Sequence, residues 1–124
     1  MNTSTRLVAE GALAPNGAAL VLLNDNRAAL QAVLVLQEFG MAVDVAQDRL
    51  DALLWASRAR YDLIVLGGAQ GHEALALLLR RAAPQARVVL FSRERPRQSL
   101  AMAGIRTIES PVNVNTLARV ARAA

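Results

Sequence analysis

The sequence predicts a single α/β domain whose centre is a five-stranded parallel sheet. Five short apolar segments, rich in Val, Leu and Ile, alternate with five segments of helical periodicity over about 105 residues. Unbroken apolar runs are typical of strands buried on both faces, and parallel strands need helices in the connections between them. With 124 residues, of which 54% are apolar, the chain is long enough to bury one core.

The predicted strands are short, and turn-forming or helix-capping residues follow them. They cover residues 19–23, 41–46, 62–66, 87–91 and 105–108. The second strand alternates apolar and polar residues, which is typical of an edge strand. Such a chain closes naturally into a doubly wound, flavodoxin-like sheet of strand order 2-1-3-4-5.

The predicted helices cover residues 27–39, 48–60, 72–83, 98–103 and 113–123, and the fourth is short or irregular. Asp48 is placed to cap the second helix, and Pro84 ends the third. Helical spacing predicts a core face on each of the first three helices, in the order Leu30, Val33, Leu34 and Phe39; Leu50, Leu53, Leu54 and Ser57; Leu75, Leu78, Leu79 and Ala82.

Three features of these helices bear on function. Trp55 lies off the predicted core face, so it either covers an edge of the core or offers an exposed aromatic anchor to a partner. His72 has no other metal-binding side chain nearby in the sequence and is predicted to lie on the surface, in the first turn of its helix. Residues 33–36 make the first helix more apolar than one core face needs, which leaves either structural surplus or a surface for a second copy or a partner helix.

Composition excludes several classes of function. The chain has no cysteine, so disulfides and thiolate metal sites are excluded, and all fourteen of its basic residues are arginine. A net charge of +4 is too small to indicate nucleic-acid binding, and no apolar run is long enough to cross a membrane. Residues 1–18 are expected to be a flexible leader rather than a signal peptide, residues 19–124 the domain, and the cytoplasm its location.

The ends of the predicted strands carry the residues of interest, because ligands of open parallel sheets bind at the carboxyl edge. In chain order these ends are Asn24-Asp25, Gly67-Gly68, Ser92 and Ser110-Pro111. Together with the phrase YDLIVLGG from Tyr61, they resemble the receiver domain of two-component response regulators over residues 18–123. The resemblance implies that Asn24-Asp25 matches the acidic pair of that family, Ser92 its Ser/Thr, and Ser110-Pro111 its Lys-Pro.

The departures from the family pattern concern the nucleophile, the metal site, the lysine and the aromatic residue, whereas Ser92 keeps its hydroxyl. Gly67 stands where the resemblance places the phosphorylated aspartate, and glycine supplies no nucleophile. Asn24 replaces one carboxylate, Ser110 replaces the lysine, and Thr107 occupies the position of the aromatic residue. Asp25 alone would hold Mg²⁺ poorly. The resemblance therefore implies a pseudoreceiver with no catalytic residue, metal or cofactor.

Two functions remain open for such a domain. The first is a non-enzymatic signalling module of a bacterial two-component-type pathway, which docks on a histidine kinase, a regulator or a second copy of itself without phosphorylation. The second is a sensor that binds an anionic nucleotide, such as a cyclic dinucleotide, because guanidinium groups bind phosphates in bidentate fashion. The residues predicted to contact the partner or ligand are Arg93, Arg95, Arg97, Arg106, Thr107, Val112, Val114 and Leu117, with Arg87 as a further member of the arginine group.

Overall fold

A computed structural model describes residues 16–67, 72–93, 97–109 and 111–123. Strands and helices alternate along the chain, as the sequence predicts. The strands are β1 (Ala18–Leu23), β2 (Ala42–Val45), β3 (Leu63–Gly67), β4 (Arg87–Phe91) and β5 (Ile105–Ile108). The helices are α1 (Asn26–Glu38), α2 (Arg49–Arg58), α3 (His72–Ala82), α4 (Gln98–Met102) and α5 (Val114–Arg122).

The five strands form one parallel sheet of order β2-β1-β3-β4-β5. The predicted fold class and strand order are therefore confirmed, as are the edge position of β2 and the shortness of α4. Because every strand runs in the same direction, all five carboxyl ends lie along one edge of the sheet and all five amino ends along the other.

Side-chain caps fix where three of the helices begin. Asp25 accepts a hydrogen bond from the Arg27 backbone N–H at α1, and Asp48 accepts one from Asp51 at α2. At α5, Asn113 and Thr116 each accept from the backbone N–H of the other, which is a reciprocal capping box. These bonds satisfy backbone donors that a helix leaves unpaired in its first turn.

Two apolar clusters cover the two faces of the sheet. Residues of α1 and α5 pack on one face around Val21, Val65 and Val89. Residues of α2, α3 and α4 pack on the other face around Ile64, Leu66 and Leu90. The strand side chains alternate between the clusters, which is the two-residue period expected of a sheet covered on both sides.

The predicted core faces of the helices are wrong in part. In α1 the buried residues are Ala29, Ala32, Val35 and Leu36, whereas Leu30 and Leu34 are exposed. In α2 they are Ala52, Trp55 and Ala56, and in α3 they are His72, Leu75, Ala76 and Leu79. The remaining predicted face residues are half-buried or exposed except Leu75 and Leu79, and Leu50 is 65% exposed.

The physical reason is that small side chains, not only large ones, contact the sheet. An alanine lets the helix axis approach the strands closely, and the flanking leucines then lie beside the contact instead of within it. Ser57 is exposed, and its hydroxyl donates to the backbone carbonyls of Leu53 and Leu54 on its own helix. Trp55 covers the core and is not an exposed anchor.

A buried polar pair lies where the sequence pattern indicated a solvent-facing residue. Asp44, a polar position of the alternating β2 segment, is buried, and its Oδ2 accepts a hydrogen bond of 2.7 Å from the hydroxyl of Tyr61. Tyr61 is itself fully buried next to β3. Burial and the bond to Asp44 both raise the pKa of the Tyr61 hydroxyl well above its ordinary value.

The predicted leader needs one correction at its carboxyl end. Residues 1–15 lie outside the described part of the chain, but Asn16 to Ala18 belong to the folded domain. Asn16 bonds to the backbone of Phe39 and Gly40, and Ala18 is the first residue of β1. None of the described helices is long and apolar enough to span a bilayer.

Candidate functional site

The carboxyl edge of the sheet ends in a row of residues without polar side chains. Leu23, Gly67, Phe91 and Ile108 are in register across four adjacent strands. Leu23, Gly67 and Phe91 are buried, and Ile108 is half-buried. The side chains of Leu23 and Phe91 belong to the cluster on the α1 and α5 face. The position predicted to lack an acceptor therefore lies inside an apolar row.

Gly67 has no room for a side chain in this row. A Cβ atom at Gly67 would lie 2.9 Å from the Cβ of Phe91, 3.1 Å from the Phe91 carbonyl oxygen and 3.2 Å from Cδ2 of Leu23. One of these neighbours is backbone, which cannot rotate away. The restriction is steric and not conformational, since Gly67 does not have a positive φ.

Asn24 and Asp25 follow the end of β1 and are exposed. One oxygen of the Asp25 carboxylate, Oδ1, accepts the capping bond of 3.0 Å from Arg27. Within the described ranges, no group of three or more His, Cys, Asp or Glu side chains could hold a metal ion. A hard cation such as Mg²⁺ needs several oxygen ligands, and an asparagine, a capping aspartate and a glycine do not fit that requirement.

The remaining predicted members of the degenerate phosphorylation site are placed as follows. Ser92 directly follows β4, and its backbone N–H donates to the carbonyl of Ile108. Thr107 is half-buried in β5, in register with Leu90. Ser110 lies outside the described residues. Asn24, Gly67 and Ser92 therefore meet at one edge of the sheet, as predicted.

His72 lies at this edge, and the prediction of a surface position is wrong. It is the first residue of α3 and is 6% exposed. A ring N–H bonds to the backbone carbonyl of Gly67, and Nδ1 has no hydrogen-bond partner among the described residues. Burial, assisted by the nearby positive charge of Arg49, lowers the pKa of His72. A lone histidine between polar residues gives no sequence signal of burial.

The arginine group of the sequence analysis is divided between the two edges of the sheet. Arg93 and Arg97 lie at the carboxyl edge, and both are exposed. Nε of Arg97 forms an ion pair of 3.1 Å with Oε1 of Glu73. Arg87 is the first residue of β4 and Arg106 the second residue of β5, whereas Arg93 and Arg97 follow the carboxyl end of β4. Arg95 lies outside the described residues.

The apolar residues predicted to contact a partner are only partly available. Leu117 is fully buried in the α1 and α5 cluster, so its assignment to a surface is wrong, and Val112 packs against the same cluster. Val114 is exposed in the first turn of α5. Met102 at the end of α4 is 81% exposed. An isolated methionine in a short helix gives no pattern from which that exposure could be read.

Comparison with known proteins gives matches to solved structures only. No protein-family model matches the chain. No curated protein matches it either.

Response regulators are among the solved structures that share this fold. The chemotaxis response regulator CheY4 of Vibrio cholerae superposes with a TM-score of 0.73 at 19% identity, over 86% of this chain and 96% of that one. The receiver domain of the Francisella response regulator 1452 gives 0.72 at 21%, over 87% and 95%. The Thermotoga maritima response regulator TrrA, solved in complex with Mg²⁺-BeF, gives 0.70 at 21%, over 86% and 96%.

The strand order and the likeness to these solved structures together define the fold. A parallel sheet of order β2-β1-β3-β4-β5 with helices on both faces is a flavodoxin-like α/β fold. Within that class, the chain has the fold of the response-regulator receiver domain, matched over nearly the full length of each of the three structures.

Proposed function

We propose that this chain is a receiver-like signalling module of a bacterial two-component-type pathway that acts without phosphorylation. It binds a protein partner, either a histidine kinase, a regulator or a second copy of itself, and its output depends on docking. The module is not an enzyme under this proposal, uses no cofactor or metal, and works in the cytoplasm. Asn24, Asp25, Gly67, Ser92 and Ser110 are the remnants of the phosphorylation site.

The enclosure of Gly67 is the observation that carries the proposal. An acceptor carboxylate at this position would require a Cβ where Phe91 and Leu23 already lie within 2.9–3.2 Å. A covalent acyl-phosphate needs a nucleophilic oxygen, and a phosphorylated receiver needs a cation to neutralise the transferred group. The apolar row of Leu23, Gly67 and Phe91 supports the loss of the nucleophilic oxygen. The single carboxylate of Asp25, which caps α1, supports the loss of the cation site.

Exposed side chains on and beside α4 and α5 support a docking surface there. Arg93 and Arg97 provide charge, and Met102 and Val114 provide exposed apolar area. Thr107 and Val112 are half-buried between them in the chain and would line the same surface. Docking surfaces of modest area suit transient interfaces, and arginine and large apolar side chains are enriched in their central contacts. The ion pair of Arg97 with Glu73 reduces the charge free for a cyclic dinucleotide, so the sensor function is not favoured.

The absence of phosphorylation is tested by incubating the protein with acetyl phosphate and Mg²⁺ and measuring the intact mass. We expect no hydroxylamine-labile phosphate on this chain, whereas a receiver domain with an acceptor aspartate, treated in parallel, gains one. A stable acyl-phosphate on this protein would overturn the proposal.

The docking surface is tested with two sets of variants that remove equal charge. Arg93→Ala with Arg97→Ala and Val114→Asp changes the proposed surface, and Arg58→Ala with Arg60→Ala and Leu50→Asp changes the exposed side of α2. Each protein is used as bait in native lysate, and the captured proteins are quantified against wild type. We expect the first set to lose partners that the second set retains. Identical losses, or none, would exclude this surface as the docking site.

A further inference from the structure

A second polar site lies at the amino edge of the sheet, opposite the row that contains Gly67. It is an open groove of about 320 Å³. The turn between α3 and β4, the start of β4 and β5, and the last residue of the α5 turn line it, and three arginine side chains, Arg80, Arg87 and Arg106, contribute to its walls. Its volume is at the lower end of the range for small-molecule sites.

Arg80 gives the groove a fixed wall. Its Nε donates to the carbonyl of Ala103 at 3.1 Å, and its Nη1 donates to the carbonyls of Pro84 at 2.7 Å and Ala86 at 3.0 Å. Gly104 has a φ of +84°, and a Cβ there would lie 3.4 Å from Nε of Arg80. One guanidinium group therefore joins the α3–β4 turn to the α4–β5 turn.

Arg87 and Arg106 bring two further positive charges to the groove, both from the face of the sheet that α5 covers. They alternate with Val88 and Ile105, whose side chains belong to the α2, α3 and α4 cluster, so both guanidinium groups leave the sheet toward α5. Nη1 of Arg87 donates to the carbonyl of Val120 in the last turn of α5. This contact positions Arg87 and uses the negative end of the helix dipole to hold a cation.

The charges of the groove are not paired with carboxylates. Throughout the described ranges, no ion pair within 4.0 Å joins Arg80, Arg87 or Arg106 to an acidic side chain. Asp62 is the acidic group that acts on Arg87, but its Oδ2 already accepts a bond of 2.9 Å from the Ala18 backbone N–H. Burial and the like charge of Arg106 lower the pKa of Arg87. Arg87 is half-buried and Arg106 is exposed, and two neighbouring like charges are stabilised when an anion joins them.

We propose that this groove binds a small phosphate-bearing anion, with Arg87 and Arg106 as its direct ligands and Arg80 as part of its wall. Two guanidinium groups present planar sets of N–H donors that match the oxygens of a phosphate, and they carry charge at every physiological pH. A neutral or cationic ligand would leave the two like charges uncompensated. The site is separate from the proposed docking surface and from Gly67, so either proposal can fail alone.

The test uses inorganic pyrophosphate as the probe, titrated into the ¹⁵N-labelled protein at low ionic strength. The site variant is Arg87→Gln with Arg106→Gln. The control variant is Arg27→Gln with Arg58→Gln, which removes the same charge from exposed positions elsewhere. Because Arg106 makes no side-chain bond among the described residues, Arg106→Gln is also measured alone to keep the test independent of any effect of Arg87 on folding.

We expect saturable amide shifts around Ala86, Arg87, Gly104 and Arg106 in the wild type and the control variant. The site variant should bind roughly tenfold or more weakly, which corresponds to the loss of one or more charge-assisted hydrogen bonds. If pyrophosphate binding were weakened equally in the two double variants, the effect would come from net charge alone and the proposal would be overturned. The absence of saturation at about 10 mM probe would also overturn it.

A second experiment decides whether the bound phosphate belongs to a free anion or to a lipid headgroup. Phosphatidylglycerol vesicles, with phosphatidylcholine vesicles as the comparison, are sedimented with the wild type and the site variant. Retention that depends on Arg87 and Arg106 without pyrophosphate binding would overturn the free-anion proposal.

Discussion

At the scale of single residues, Gly67 is the position on which the functional proposal depends. The neighbours that enclose it, Leu23 and Phe91, are its partners in the sheet and are buried in the same cluster. Packing therefore favours glycine at position 67, and the same glycine is the reason that the position has no nucleophile. Stability measurements can test the packing without any assumption about signalling.

Gly67→Ala is expected to destabilise the protein by about 1–3 kcal/mol, because the added methyl group overlaps Phe91. Urea unfolding of the variant gives the free energy change. Phe91→Gly provides the control, since the contact at 2.9 Å is with the Phe91 Cβ, which every residue except glycine keeps. In that background the cost of Gly67→Ala should shrink, and an unchanged cost would mean that Phe91 does not restrict the position.

Tyr61→Phe is expected to cost about 1–3 kcal/mol, because the hydrogen bond from the Tyr61 hydroxyl to the buried Oδ2 of Asp44 is lost. The raised pKa of Tyr61 also has a consequence at alkaline pH. Above about pH 10 the unfolded chain loses this proton while the folded chain keeps it, so wild-type stability falls as the pH rises. The free energy of unfolding, measured from pH 8 to pH 11, should fall less steeply for Tyr61→Phe. Parallel curves would contradict the assignment.

The lowered pKa of His72 predicts an acid-sensitive stability. Below about pH 6.5 the unfolded chain binds a proton that the folded chain resists, so stability falls as the pH decreases through that window. His72 is the single histidine of the sequence, and no other side chain ordinarily titrates there. Unfolding measured between pH 7.5 and pH 5 should therefore depend on pH in the wild type and much less in His72→Gln. An equal pH dependence in the two proteins would contradict the prediction.

At the scale of the helix, the faces of α1, α2 and α3 show where sequence patterns stop being sufficient. The bounds of the elements follow from capping residues, Pro84 and the apolar runs, which act locally, so the sequence predicts them to within a few residues. The buried faces depend on how closely each helix approaches the sheet. In a chain rich in both Ala and Leu, two adjacent helical faces are apolar, and only the packed structure selects between them.

Leu78 and Leu79 allow the buried face of α3 to be identified by experiment, because the same substitution to alanine can be made at both positions. Leu79 is fully buried and Leu78 is 50% exposed on the same helix. Leu79→Ala should cost about 2–5 kcal/mol because it leaves a cavity, whereas Leu78→Ala should cost less than about 1 kcal/mol. Alanine favours the helix equally at both sites, so the difference reports burial alone. Equal costs from urea unfolding would mean that the buried face of α3 is different.

At the scale of the whole molecule, one sheet lies between the two apolar clusters and contributes side chains to both. Strand order and the register of the carboxyl edge were predictable, because parallel topology follows from the alternation of elements. The residues at the carboxyl edge were predictable as far as Gly67, Asn24 and Ser92, which end a strand or follow one directly. The buried His72, the Asp44–Tyr61 bond and the arginine groove were not, since each depends on side chains that are distant in sequence.

The two faces of the sheet should respond independently to small cavities and still unfold together. Ile64→Val acts on the α2, α3 and α4 face, and Val120→Ala acts on the α1 and α5 face. Each should cost about 0.5–3 kcal/mol, and the double variant should show their sum within about 0.5 kcal/mol in a single cooperative transition. Two separate transitions would mean that the clusters belong to different folding units.

The close fit of Phe91 over Gly67 also imposes an order on genetic change. A codon change that placed aspartate at position 67 would meet a filled space and yield a weaker fold, so selection would discard it before any chemistry could be gained. A substitution that moves the backbone of Phe91 would have to come first, because every residue except glycine at that position keeps a Cβ 2.9 Å from the new one. The change at position 67 is therefore harmful alone, and it is one of several barriers, with those at Asn24 and Ser110, between the present sequence and one that could accept a phosphoryl group.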